Sequence, residues 1–129
     1  DLRIQQMKKI IIDTNALMAI NEFKIDIFSE LEKTCDFNYE IFVLYGTIDE
    51  LNKIITEQRG KHKRAAQLAL AILKTKKVKK IKSEGNVDDK LVELSAKGYH
   101  ILTQDIGLKR RLTKPYLTIR QKRRIILIG

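Results

Sequence analysis

Apolar residues along the chain fall into two patterns. Ile10-Ile11-Ile12, Ile41-Phe42-Val43-Leu44-Tyr45 and Tyr99-His100-Ile101-Leu102-Thr103 are short unbroken runs rich in β-branched and aromatic residues, whereas the stretches between them repeat their apolar positions every three or four residues. An unbroken run suits a strand buried on both faces, and the longer spacing lays a stripe along one side of a helix. The first run ends in Asp13-Thr14-Asn15, so a strand passes directly into a helix. Residues from Asn15 to about Cys35 are predicted mostly helical, with Phe28, Leu31 and Cys35 turned inward, before Asp36 to Asn38 supply a turn. Gly46 breaks the second strand, and Thr47-Ile48-Asp49-Glu50 matches a capping box that predicts a helix starting there. Arg59 to Arg64 reads as a basic loop, followed by a helix whose apolar stripe is Ala65, Leu68, Ala69, Ile72 and Leu73.

Val78 to Lys82 alternates apolar residues with lysines, the pattern of a guarded edge strand. Asp88-Asp89 open a helix with Leu91, Val92, Leu94 and Ser95 inward, which Gly98 ends. Tyr99 to Thr103 then forms a fourth strand with Gln104-Asp105 at its carboxyl end, Gly107 to Leu112 a short helix, and Ile125 to Ile128 a fifth strand. Strands and helices alternating at these intervals predict a three-layer α/β domain with a mainly parallel five-stranded sheet. Residues 7–129 fit one domain. Asp1 to Gln6, ahead of Met7, have no usable pattern and read as an N-terminal extension or an expression remnant.

Four acids occupy related places in this scheme: Asp13 and Asp105 at strand ends, Glu50 and Asp89 at helix starts. In a parallel sheet with right-handed crossovers those places share one edge, so the four carboxylates can converge. Like charges held together destabilise one another unless a cation neutralises them, and oxygen ligands select Mg²⁺ or Mn²⁺. Phosphodiester hydrolysis is the chemistry such a centre performs. Each acid also has a local reading. Asp13 caps a helix, Glu50 completes the capping box, and Asp88 is the N-cap that leaves Asp89 in the first turn, or the reverse. Asn15 and Thr103 flank the acids and either orient a carboxylate or close turns.

Charge narrows the partner. Lys and Arg number 26 against 16 Asp and Glu, a formal +10, which favours a polyanion such as RNA or DNA. Candidate phosphate contacts are Arg59, Lys61, Lys63 and Arg64, then Lys109, Arg110 and Arg111 close behind Asp105, then Arg123 within a last basic cluster. With no Trp and only four Phe and four Tyr, base-stacking platforms are scarce. One cysteine and two histidines exclude an internal disulfide and a zinc site of the usual Cys/His type. No apolar run approaches the roughly 18 residues of a membrane span and no charged-then-apolar leader is visible, so a cytoplasmic protein without a membrane partner is expected.

The combination of Ile12-Asp13-Thr14-Asn15, Glu50 after the second strand, Asp88-Asp89 opening a helix and Thr103-Gln104-Asp105 after a strand resembles the PIN domain, a metal-dependent ribonuclease fold, over nearly the whole chain. The resemblance implies a parallel five-stranded α/β/α sandwich, Mg²⁺ or Mn²⁺ held by Asp13, Glu50, Asp89 and Asp105, and endonucleolytic cutting of RNA. The stretch Thr103 to Leu112 resembles the branch of the family that processes small-subunit ribosomal RNA. Toxin-type members more often place an aromatic where this chain has Leu108. The expected function is therefore a metal-dependent endoribonuclease; the branch resemblance points to ribosomal RNA processing, and the sequence leaves the RNA target unassigned. The alternatives are a catalytically weak PIN module that binds RNA or pre-ribosomal particles, and the ribonuclease of a toxin–antitoxin pair with an antitoxin-like partner. The sequence leaves oligomeric state open, a dimer included.

Overall fold

The computed structural model describes residues 7–129; residues 1–6, read above as an extension or remnant, lie outside the described residues. The elements in order are β1 (Lys8–Ile12), α1 (Thr14–Phe23), α2 (Ile27–Thr34), β2 (Tyr39–Leu44), α3 (Tyr45–Glu57), α4 (Gly60–Thr75), β3 (Lys79–Ile81), α5 (Val87–Ala96), β4 (His100–Leu102), α6 (Ile106–Arg111), β5 (Tyr116–Arg120) and β6 (Arg124–Ile128). The sheet order is β3-β2-β1-β4-β5-β6, parallel except for the final β5–β6 pair.

The isoleucine run explains why β1 lies at the centre. Ile10, Ile11 and Ile12 are all fully buried, which a strand achieves only when both faces are covered. Ile10 and Ile12 pack with Leu17, Leu31, Leu51 and Ala69 from α1 to α4, while Ile11 packs on the other face with Leu91, Leu94 and Leu108 from α5 and α6. Three layers result. From β1 the chain adds β2 and β3 on one side, then returns to lay β4 on the other. The strand order therefore reverses between β1 and β4, and a crevice opens above their carboxyl ends, the usual ligand site of open α/β sheets.

Several local expectations are corrected. The sheet has six strands among the described residues, because Tyr116–Arg120 forms β5 and pairs with β6. The helix expected from Asn15 to Cys35 is two helices: Lys24 turns into the left-handed region at φ 55°, and the Asp26 carboxylate accepts hydrogen bonds from Phe28 N and Ser29 N to start α2. The basic stretch 60–64 is the opening of α4 rather than a loop. No capping box forms at Thr47. β2 runs straight into α3, Leu44 is the N-cap without a side-chain bond, and Thr47 is fully buried with an unpartnered hydroxyl. Gly46 lies inside α3, where a Cβ would come within 2.7 Å of Val87 Cγ2, so a close approach between α3 and the start of α5 requires it. Its N–H donates to Ser83 Oγ at 2.9 Å. Among the described residues, no helix is long and apolar enough to cross a membrane.

Candidate active site

Asp13 stands at the floor of the crevice, 5 % exposed. Its N–H donates to Leu102 O at 2.9 Å, which fixes the end of β1 against the end of β4. Its Oδ1 accepts from Thr14 N at 2.8 Å and its Oδ2 from the Thr103 hydroxyl at 2.8 Å. Capping and ligand roles are thus compatible in one residue. Burial is the main force pushing the Asp13 carboxyl above its usual range; the Thr103 and Thr14 hydrogen bonds oppose the rise, and the charges of Asp88 and Asp105 add to it.

Thr103 links two acids. Fully buried, it donates to Asp13 and accepts from Asp105 N at 3.1 Å. A hydroxyl has one proton to give, so Asn15 Oδ1 at 3.4 Å is a poor second acceptor. Asn15 instead accepts from Gln104 N at 3.0 Å, which ties the exit of β4 to the start of α1. Gln104 completes the support, its Oε1 accepting from the Thr118 hydroxyl at 2.8 Å and from Ile119 N at 2.7 Å. That role had no sequence signal, because it depends on β5. Replacing Thr103 by Val removes the bridge at nearly constant volume, and a loss of about ten- to a hundredfold in metal affinity or turnover is expected. Thr103→Ser restores the hydroxyl. Full activity in the Val variant, measured by single-turnover cleavage and metal titration, would show the bridge to be structural only.

The remaining acids reach the crevice from helices, Asp105 and Asp88 at helix starts and Glu50 one turn into α3. Asp105 caps α6, its Oδ1 accepting from Leu108 N at 2.9 Å, which leaves Oδ2 outside the cap. Glu50, on α3, is an exposed residue whose carboxyl end is nonetheless partly desolvated. Its pKa is raised by burial first, then by the Asp13 charge, with Asp88 adding a smaller push. The Thr14 hydroxyl counteracts part of that rise by approaching Glu50, yet it is buried without closing a full hydrogen bond to any protein atom. At the start of α5 the N-cap is Asn86, which accepts from Asp89 N at 2.9 Å, and not Asp88. Successive helix residues point about 100° apart. The consequence is that Asp88 bears on Asp13 and Glu50, while Asp89 turns toward the end of α6 and holds Arg111 Nη2 at 2.6 Å. Sequence reasoning had put Asp89 in the crevice.

Among the described residues, no three Asp, Glu, His or Cys side chains are drawn together tightly enough to enclose a metal ion unaided. The acids that do bear on one another, Asp13 with Asp88 and Asp105, could supply the one or two direct carboxylates that Mg²⁺ takes while it retains several waters. The orphaned Thr14 hydroxyl beside Glu50 is a ready partner for such a water. All-oxygen donors also match these hard cations.

Of the basic candidates, Lys109 is the one on which Asp105 acts. Partial burial lowers its pKa while the Asp105 charge holds it up. Arg110 is exposed beside it, and Arg111 is engaged by Asp89. Arg59, Lys61, Lys63 and Arg64 are exposed at the start of α4, and Arg123 lies in the β5–β6 turn. A cavity of about 640 Å³ runs beside Ser83, Asn86, Asp89 and Lys90 and includes none of Asp13, Glu50, Asp88 or Asp105. Buried Asp13, with the acids that act on it, identifies the site better than the volume does.

Residues 10–124 match the family described as PIN like domain. Ribonuclease VapC4 of Methanocaldococcus jannaschii is 31% identical over 131 residues, covering 95% of this chain and 98% of that protein. Ribonuclease VapC9 of Archaeoglobus fulgidus is 33% identical over 111 residues, covering 84% of this chain and 78% of that one. Among solved structures, the PIN domain endonuclease Utp24 superposes with a TM-score of 0.74 over 92% of this chain and 90% of that chain, at 23% identity, a likeness of fold.

Proposed function

Because the chain belongs to the PIN-like domain family, we propose that residues 7–129 act as one domain, a divalent-metal-dependent endoribonuclease that hydrolyses RNA phosphodiester bonds in the cytoplasm. The observation that supports this most is the gathering of Asp13, Glu50, Asp88 and Asp105 at the strand-order reversal, where burial first, and then the charges of Asp88 and Asp105 on Asp13 and of Asp13 and Asp88 on Glu50, raise the pKa values of Asp13 and Glu50. A nuclease needs concentrated negative charge there to hold its metal, and a protein that only folds has no use for it.

Asp13 Oδ2 and the uncapped oxygen of Asp105 are the inner donors in this reading, with Glu50 and Asp88 across the crevice. Asp89, expected in that set from the sequence, serves instead to hold Arg111 beside α6. Mg²⁺ or Mn²⁺, when bound, supplies Lewis-acid polarisation of the phosphoryl group and activation of water. The chain's own contribution is positional. Thr103 keeps one Asp13 oxygen aimed into the crevice, and Asn15 and Gln104 hold the β4 exit loop that presents Asp105. Lys109, beside Asp105, is placed to hold a phosphate oxygen next to the cut.

The toxin-type reading is favoured over ribosomal processing by the two relatives above being VapC ribonucleases, whereas the Utp24 likeness is one of fold. Incubating labelled structured and single-stranded RNAs with the protein and Mn²⁺, Mg²⁺ or EDTA is expected to give internal cuts only with metal, visible on a denaturing gel. RNA that is bound but left whole under every metal would replace the enzyme by a binding module.

A further inference from the structure

α1 ends at Phe23-Lys24, and two basic segments far apart in sequence converge on that end. A cavity of about 480 Å³ lies between α1 and α4, with Asn21 and Lys24 on one wall and Lys61, His62 and Arg64 on the other. The β5–β6 turn reaches the same helix end, where Lys122 Nζ is 5.4 Å from the centre of the Phe23 ring. Lys24 joins what the sequence displays as separate clusters. Its Nζ lies 3.3 Å from Asn21 Oδ1, so the side chain folds back along the last turn of α1. The start of α4 adds to the field: it has no side-chain cap and no acid in its first turn, so its unpaired N–H groups keep their partial positive charge. One carboxylate, Glu22, lines the cavity against Lys24, Lys61 and Arg64.

The position relative to the acids is set by the sheet. β1, β4 and β5 run parallel, so the turn after Arg120 emerges at the edge that holds Asp13 and Asp105, two strand spacings or about 10 Å from β1. The ten residues of α1 add about 15 Å from Asp13 to Phe23.

We infer that Lys24, Lys61, Arg64 and Lys122 form a phosphate-binding track that grips the RNA backbone several nucleotides from the scissile bond. The ligand assignment rests on the ribonuclease reading above. Backbone rather than bases is indicated because the Phe23 ring is covered by Lys122 and the cavity is lined by no Phe, Tyr or Trp, its one ring being the His62 imidazole among three cations. RNA is favoured over a protein helix because the apolar part of the lining is only Met18 and Ala65, too little for the spaced anchors such a helix inserts.

The test is RNA binding in EDTA across a salt series, so that it does not depend on cleavage. Changing Lys24, Lys61, Arg64 and Lys122 together to Gln is compared with the same loss of charge at the exposed Lys8, Lys33, Lys74 and Lys97. Each phosphate contact contributes about 0.7 to 0.9 to the slope of log affinity against log salt, so the first variant is expected to be shallower by about three and the second to match wild type. A Lys61→Gln, Arg64→Gln pair should show about half the change, with an unaltered melting temperature as the folding check. Equal slopes for wild type and the four-site variant would overturn the track, as would an equal loss in the control. If the four-site variant lost affinity for polyglutamate but kept that for RNA, the surface would belong to an acidic protein segment. A protein that never cuts RNA yet shows the predicted slopes keeps the track and loses only the ribonuclease reading.

Discussion

Asp13→Asn is expected to lose metal-dependent RNA cleavage by at least about 10³-fold, the scale of the several kcal/mol that a bound divalent ion contributes to charge stabilisation in the transition state. The same variant is expected to melt at a higher temperature than wild type without metal. Both effects come from one property. The Asp13 carboxylate is buried among other acids, and its raised pKa means that its negative charge is held at a cost to the fold. Asn keeps the shape and the acceptor for Thr14 N. The amide group then donates to the Thr103 oxygen, whose proton is left to Asn15 Oδ1 nearby. No buried polar atom need be stranded. Single-turnover cleavage and a thermal melt in EDTA check the two halves separately. A variant that cuts within a hundredth of the wild-type rate would remove Asp13 from the metal centre, and one that melts lower would show that the charge stabilises the fold.

Metal should also change the dependence of stability on pH. Asp13 and Glu50 have folded pKa values above the ordinary 3.8 and 4.5, so the folded state retains their protons more strongly than the unfolded chain does. Their favourable contribution is complete below those ordinary values and is lost as pH rises through the raised ones. The metal-free protein is therefore expected to lose stability from about pH 4 upward through the weakly acid range, in the direction opposite to a salt-bridged carboxylate. Mn²⁺ at a hundredfold excess over its Kd should restore about 2.7 kcal/mol at neutral pH, visible as a rise of several degrees in melting temperature. Asp13→Asn should show neither the pH slope in full nor the rise. If Mn²⁺ raised the melting temperature of wild type and variant equally, the ion would be binding elsewhere.

The parts of the molecule legible in the sequence are those where a single local signal decides. Three adjacent isoleucines fit only a strand covered on both sides, and an acid where such a strand stops falls at the ligand edge whatever the loop details are. The positions of Asp13, Asp105, Asn15 and Thr103 at one edge of the sheet follow from that. Which of Asp88 and Asp89 faces the crevice is not legible in the sequence, because a shift of one residue at a helix start rotates the facing side chain by about 100°. The Thr47–Glu50 capping box failed for a tertiary reason: β2 continues into α3 without a pause, and Thr47 is packed into the interior. β5 was hidden by its flanks. Pro115 and a run of cations bracket it, and its turn is made by Gln121 and Lys122 at φ 55° and 58°, with no Gly or Asn to mark it. The basic clusters were visible as charge, but their meeting at Lys24 depends on helices and a hairpin that only the folded chain brings together.

The reversal of strand order at β1 has a consequence for when the chain becomes dangerous to RNA. Asp13 and Thr103 are separated by 90 positions, and their contact forms only when β4 docks along β1. During synthesis, at about 5 to 20 residues per second, β1, β2 and β3 with their helices emerge first and bring out Asp13 and Glu50 alone. Such an intermediate has two acids and no third or fourth. In the centre proposed above, a partly made or locally melted molecule would lack the Thr103 bridge and a placed Asp105, so cutting would begin only once the central strand pair closes.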